Sequence, residues 1–217
     1  MYCDIYQPDH YLGLPVNSNY PMIESYLNGI HSVLKNACNQ HSRTFVFQVV
    51  LKFPQAGGTF PNDAISRFIK SFKAKVCADQ CRRLREGKRV HSTSIRYVWC
   101  REISSSLNVH YHVYFLMNAD AYWQLGDFGA NAQGHLSQML VSAWGSAIGI
   151  SNARGLVHFG QGARKLNVND ITGEVVPHFN GSEYDTFEDI FYWMSYLAKS
   201  DTKQFGDGGR NFGCSIN

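Results

Sequence analysis

The stretch Val109-His110-Tyr111-His112-Val113-Tyr114-Phe115 sets two histidines one residue apart inside a strongly β-forming run. In a strand, residues i and i+2 point to the same face. His110 and His112 therefore present their imidazoles side by side, while Val109, Tyr111, Val113 and Phe115 face the other way. That second face is apolar enough to be core, which leaves the histidines on the working side of a sheet.

Upstream, Ser94 to Ile103 reads as a strand, Ser104 to Asn108 as a turn and Val109 to Met117 as the returning strand of a hairpin. One register sets Glu102 opposite His110 and Cys100 opposite His112, all on one face. A slip of one residue turns Glu102 away, and it is then an ion-pair partner for Arg101 or Arg96.

Further out, Thr44 to Phe53 is a buried strand closed by Pro54 and an Ala56-Gly57-Gly58 loop. Asn62 and Asp63 offer N-caps to a long helix with Ile65, Phe68, Ile69, Phe72 and Val76 on its inner face, ending near Gly87. A second helix, Ala132 to Ile148, has Leu136, Leu140, Ala143, Trp144 and Ala147 in register, and Gly155 to Phe159 is a short strand. Strand, helix, strand, strand, helix, strand is the order of a split βαβ. The expected class is α+β, a ferredoxin-like or RRM-like domain with a central antiparallel sheet and helices on one face.

Two helical segments flank this unit. Tyr20 to Cys38 has Ile23, Tyr26, Leu27, Ile30 and Leu34 at helical spacing, with Pro21 near its start. A final helix begins with a capping box, Asp185 as N-cap and Glu188 three residues on, and runs to Lys199. The expected organisation is an N-terminal helical appendage over 1–43, a main domain over 44–205 and a Gly-rich tail over 206–217.

Composition bounds the class. Hydrophobic residues make up 44% and aromatics 14% of 217 residues, as in a folded globule. The apolar runs are too short for a membrane span, and the N-terminus lacks a signal-peptide pattern, so the expected location is the cytoplasm. Six cysteines without a CxxC pair read as reduced thiols. Cys77 and Cys81 share a helix face and are either a half-built zinc site or two half-buried thiols.

The net charge is only +3, but nine Lys/Arg lie between Arg67 and Arg89 against Asp79 and Glu86. Such an excess is a phosphate-binding face or a solvated helix face. Arg67, Lys70, Lys73, Arg82 and Arg83, with Arg101 from the hairpin, are the candidate DNA contacts.

Along the final helix, Tyr192, Tyr196 and Lys199 fall at i, i+4 and i+7, one stripe. Ile190, Met194 and Leu197 supply a neighbouring apolar face, so the stripe is spare. A tyrosine nucleophile, with a pKa of about 10, needs a strongly polarised target. A divalent metal on a phosphate oxygen supplies it, and two imidazoles plus a carboxylate make a suitable open site. His110, His112 and Glu102 are the candidate ligands.

At this point the chain resembles a known family. His110-Tyr111-His112 looks like the paired-histidine motif of HUH endonucleases, the rolling-circle replication initiators, relaxases and related transposases. Tyr192-Trp-Met-Ser-Tyr196-Leu-Ala-Lys199 looks like the YxxxYxxK motif of two-tyrosine replication initiators. Arg101-Glu102 before the histidines, Tyr-Leu-Ala-Lys-x-Asp-x-Lys over Tyr196 to Lys203, and Arg210-Asn211-Phe212-Gly213 resemble inovirus-type replication proteins of filamentous phages and prophages. The likeness covers Phe45 to the C-terminus.

The resemblance implies a site-specific nickase and ligase acting on single-stranded DNA at a replication origin. Mg²⁺ or Mn²⁺ would sit on His110, His112 and Glu102. Tyr196 would be the principal nucleophile forming a 5′-phosphotyrosine, Tyr192 a second nucleophile or a packing residue, and Lys199 a positioning or charge-neutralising group. No Walker A loop is present, so a host helicase and polymerase are the expected partners. The rival readings are an HUH transposase or relaxase, a non-catalytic ferredoxin-like nucleic-acid binder, and a zinc hydrolase independent of Tyr196. His158 reads as a structural histidine or a further group on the sheet face.

Overall fold

The computed structural model describes residues 5–7, 9–55, 61–103, 108–128, 135–160, 162–167 and 185–215. Four two-residue strands open the chain: β1 (Ile5–Tyr6), β2 (His10–Tyr11), β3 (Leu14–Pro15) and β4 (Met22–Ile23). Then follow α1 (Glu24–Gln40), β5 (Arg43–Lys52), α2 (Ala64–Arg85), β6 (Arg96–Ile103), β7 (Val109–Asn118) and α3 (Leu136–Ile148). The chain closes with β8 (Val157–Phe159), β9 (Arg164–Asn167), α4 (Phe187–Ser195), a 3₁₀ turn (Tyr196–Ala198) and β10 (Phe212–Cys214). The fold is α+β.

The main sheet runs β10-β6-β7-β5-β8 with every pair antiparallel, and β9 extends the same edge of β5 as β8. Alternation along the strands makes two cores. Phe45, Phe47, Val49, Val113, Phe115 and Trp99 face α2 and α3, and Phe68, Phe72, Leu140 and Trp144 close that layer. Val46, Val98, Cys100, Tyr114 and Leu116 face the other way, against Leu27, Ile30 and Leu34 of α1 and Ile190, Phe191 and Met194 of α4.

The helices α2 and α3 lie on one face, as expected, while the flanking α1 and α4 cover the other face, which the sequence reading left open. The second face keeps enough apolar residues in the middle of β5, β6 and β7 to bury two amphipathic helices. Tyr114, which shares the face of His110 and His112, is 1% exposed; its ring meets Trp193 edge-on and its hydroxyl donates to the Trp193 carbonyl.

Two boundaries of the last helix also differ. Its N-cap is Thr186, whose hydroxyl accepts from the Asp189 backbone N–H while Asp189 reaches back to the Thr186 N–H. Asp185 instead binds Arg164 at 2.7 Å, so the capping box sits one residue later than the sequence suggests. The helix stops at Ser195 and tightens into the 3₁₀ turn, because Lys199 leaves helical backbone to bridge Met22 of β4. Among the described residues no helix is long and apolar enough to cross a membrane.

Candidate metal centre

The β6–β7 ladder adopts the register that puts Glu102 opposite His110 and Cys100 opposite His112. Side chains of directly opposed residues lie close together, so all four groups converge on one face. Glu102 Oε2 lies 3.8 Å from His110 Nε2 and 3.5 Å from His112 Nε2. Among the described residues this trio is the one group of carboxylate, imidazole or thiolate atoms placed to hold a metal, all within 4.8 Å of one another. Cys77 and Cys81 are exposed and belong to no such group, so the zinc reading of that pair is not supported.

Both imidazoles are held through their other nitrogen, which fixes which one faces the centre. His110 Nδ1 lies 3.3 Å from the Asn108 carbonyl, to which it donates, leaving Nε2 with a free lone pair. Gln48 Nε2 on β5 lies 3.2 Å from His112 Nδ1 and donates to it, so the ring proton sits on Nε2 in this orientation; turning the Gln48 amide over reverses the two roles and frees the Nε2 lone pair for a metal. Burial is the main force on His112 and outweighs the Glu102 carboxylate, lowering its pKa to about 4, so the ring is neutral at neutral pH.

Glu102 itself is 2% exposed. Burial opposes its ionisation, but the ammonium of Lys203, then His112 and Lys199, hold its pKa down at about 2. Lys203 Nζ donates to Oε1 at 2.9 Å from a fully buried side chain. Lys199 Nζ lies 3.3 Å from Oε2 and also donates to the Tyr196 hydroxyl in a short contact. Burial works against the Lys199 charge, and the Tyr196 and Glu102 partners more than restore it, raising its pKa.

The 3₁₀ turn explains the Tyr196–Lys199 contact. Side chains three residues apart eclipse in a 3₁₀ helix, and Lys199 Nζ lies 3.9 Å from the Tyr196 ring centroid. The Tyr196 ring reaches the His112 ring edge-on at 6.0 Å. Tyr192, by contrast, lies outward on α4 and is 44% exposed. His158 is on the same sheet face, paired through Val50 with His112, but is exposed and outside the metal-ligating group.

Four contributors were not legible beforehand. Lys203 stood only as the last residue of the Tyr196–Lys203 motif, with no role at the centre, and Gln48 as an ordinary strand residue. Asn108 acts through its backbone, so its residue type gives no clue. Tyr20 comes from the N-terminal segment: Pro21 accepts from the Ser200 N–H, Met22 bridges Lys199, and the Tyr20 ring meets Tyr196 edge-on at 5.8 Å. A hydrophobic-then-aromatic segment ahead of a helix carried no sign of that pairing.

The candidate DNA contacts divide. Arg67 binds Asp63, Arg82 binds Asp79 and Glu86, and Arg101 binds Asp207. Arg83 donates to the Ala121 carbonyl and lies over Tyr122. Lys70 and Lys73 are exposed and have no salt-bridge partner among the described residues.

An α+β protein with a two-histidine, one-carboxylate centre beside a lysine-bound tyrosine is the class that these features define. The chain belongs to the YagK/YfjJ C-terminal domain family, whose model matches residues 12–215. It is 32% identical over 205 residues to the uncharacterized protein YagK of Escherichia coli (strain K12), covering 89% of this chain and 93% of that protein. It is 31% identical over 207 residues to the uncharacterized protein YfjJ of the same strain, covering 89% and 94%. No solved structure matches.

Proposed function

We propose that this protein is a tyrosine-dependent DNA nickase and ligase of the HUH type, initiating rolling-circle replication at a single-stranded or extruded origin. The observation that carries the reading is the meeting of Glu102, His110 and His112 with Tyr196 and Lys199 at one spot. The strand order β6-β7-β5-β8, with α2 and α3 as the connections, supports a ferredoxin-like core for it.

The residues fit a divalent cation of the Mg²⁺ or Mn²⁺ kind: one anionic oxygen donor and two imidazole nitrogens, each imidazole supported from behind. Bound there, such an ion would polarise a non-bridging phosphate oxygen. The surrounding charge fits an anionic substrate, since Glu102 is flanked by two ammonium groups, Lys199 and Lys203.

In the proposed reaction the Tyr196 oxygen attacks the scissile phosphorus, forming a P–O bond as the bond from phosphorus to the 3′ oxygen breaks. The 5′ phosphate stays on Tyr196, whose phenolic proton passes to solvent, and the departing 3′ oxygen takes a proton from water to become the hydroxyl a polymerase extends. Lys199, charged and bound to the tyrosine oxygen, stabilises the phenolate that attacks. Attack by that 3′ hydroxyl, or by one from another strand, reverses the bond exchange and rejoins DNA. Tyr192, outward on α4, is placed for a role on a second strand only if α4 or the DNA moves.

A purely base-stacking module is disfavoured, because Tyr114 is covered by α4. The test is incubation with a panel of single-stranded origin oligonucleotides and Mn²⁺, followed by a denaturing gel. A protein–DNA adduct that EDTA abolishes is expected. No adduct with any oligonucleotide, with binding unaffected by EDTA, would overturn the reading in favour of a non-catalytic binder.

A further inference from the structure

The cleft between α2 and the β6–β10 edge lies on the sheet face opposite the histidines. It is a cavity of about 590 Å³ bordered by Lys70, Lys73, Tyr97, Trp99 and Arg210. Trp99 and Arg210 also border a second cavity of about 340 Å³ that reaches Asn62, Arg101 and Asp207, so the two adjoin along this edge.

Arg101 on this cleft is paired with Asp207, which also lines it, but three other cations there are not neutralised. Among the described residues Lys70, Lys73 and Arg210 take part in no salt bridge, whereas Arg67, Arg82 and Arg101 each hold a carboxylate. Two of the three rest on aromatic rings: Lys73 Nζ is 5.1 Å from the Tyr97 centroid and the Arg210 guanidinium 5.5 Å from that of Trp99. Such contacts position a cation without cancelling its charge. Trp99 is itself locked, with its indole across Gly213, where a Cβ would come within 2.6 Å of the ring.

We propose that this cleft binds the sugar-phosphate backbone of duplex DNA flanking the nick site. The inference rests on the DNA reading above and adds a second contact surface to it. Single-strand binders expose aromatic faces on which bases stack. Here Trp99 is 2% exposed and serves as floor, while the half-buried Tyr97 lies under Lys73 and Phe212 stacks on Tyr26, so the rings are already partnered and the cleft presents phosphates with a row of cations. Because it lies on the opposite face from His110 and His112, DNA held in it is distinct from the strand at the metal centre.

The experiment measures fluorescence anisotropy of the full chain with a short blunt duplex and with a thymidine oligonucleotide of equal length, over a salt series. Wild-type protein is compared with K70Q/K73Q/R210Q. Each phosphate contact removed lowers the slope of log affinity against log salt by about 0.9, so the triple variant should lose about 2 to 3 from its duplex slope. Its thymidine-oligonucleotide binding, Mn²⁺ binding and melting temperature should stay at wild-type values. An unchanged duplex slope overturns the proposal, as does equal loss on both DNAs or a wild-type protein that does not bind duplex. These readouts need no cleavage: duplex binding through the cleft without any adduct would count against the nickase reading alone.

Discussion

Glu102→Gln tests the electrostatic frame of the centre. The carboxylate is buried between the Lys203 ammonium at 2.9 Å and the Lys199 ammonium at 3.3 Å. Coulomb attraction at an effective dielectric of about 20 is about 5 to 6 kcal/mol for each contact before desolvation is subtracted. Breaking a buried pair by removing one partner costs about 3–5 kcal/mol net. The glutamine keeps shape and one acceptor oxygen, so what is lost is charge, and two buried ammonium groups are left facing each other.

A loss of about 4 kcal/mol in a chain of this size lowers the melting temperature by about 8–16 °C. Calorimetry in EDTA should show that drop. Glu102→Gln with Lys203→Met should recover part of it, since the second change removes one stranded cation, a coupling that a double-mutant cycle reads directly. A Glu102→Gln protein that melts within 2 °C of wild type, or a double variant less stable than the sum of its parts, would refute the reasoning (~2 °C being under 1 kcal/mol here).

Three further outcomes follow from the same geometry. The unfolded chain protonates His112 below about 6.5 and the folded one only below about 4, so the unfolded state binds more protons in that window. Metal-free stability should therefore rise with pH from 4 to 6.5, by at most about 3 kcal/mol from this group, and pH-resolved denaturation of His112→Gln should show a shallower rise. Gln48→Ala removes the support of His112 Nδ1 and should weaken Mn²⁺ binding about 10–100-fold by calorimetric titration without loss of fold. Gly213→Val should drive the Trp99 ring off its seat and destabilise the β10 edge, which hydrogen exchange at Phe212–Cys214 would report as faster exchange.

The sequence made the centre of this fold legible because the hairpin is strongly patterned. Period-two alternation through Tyr97–Ile103 and Val109–Met117 left few registers that keep Trp99, Val113 and Phe115 together in the core, and the one adopted brings Glu102 to His110. The final helix was legible as an element but not in its ends. Thr186 and Asp185 are both good N-caps locally, and only the Arg164 partner of Asp185 decides between them. The stop at Ser195 comes from pairing with Met22, far away in the chain, which no local propensity encodes. The same holds for α1 and for Tyr20, whose places on the second sheet face are set by tertiary packing. The basic run was legible as charge, but its meaning changed once carboxylate partners were placed beside Arg67, Arg82 and Arg101.

In the proposed reaction Tyr196 forms the covalent bond to DNA with the Glu102, His110 and His112 centre behind it. The most direct test is mass mapping of the protein after reaction with a single-stranded origin oligonucleotide and Mn²⁺, then nuclease and protease digestion. A nucleotide phosphate is expected on the peptide containing Tyr196, with its loss in Tyr196→Phe and no adduct in His110→Ala or His112→Ala. An adduct of undiminished yield in Tyr196→Phe, or one that forms without His110 and His112, would contradict it.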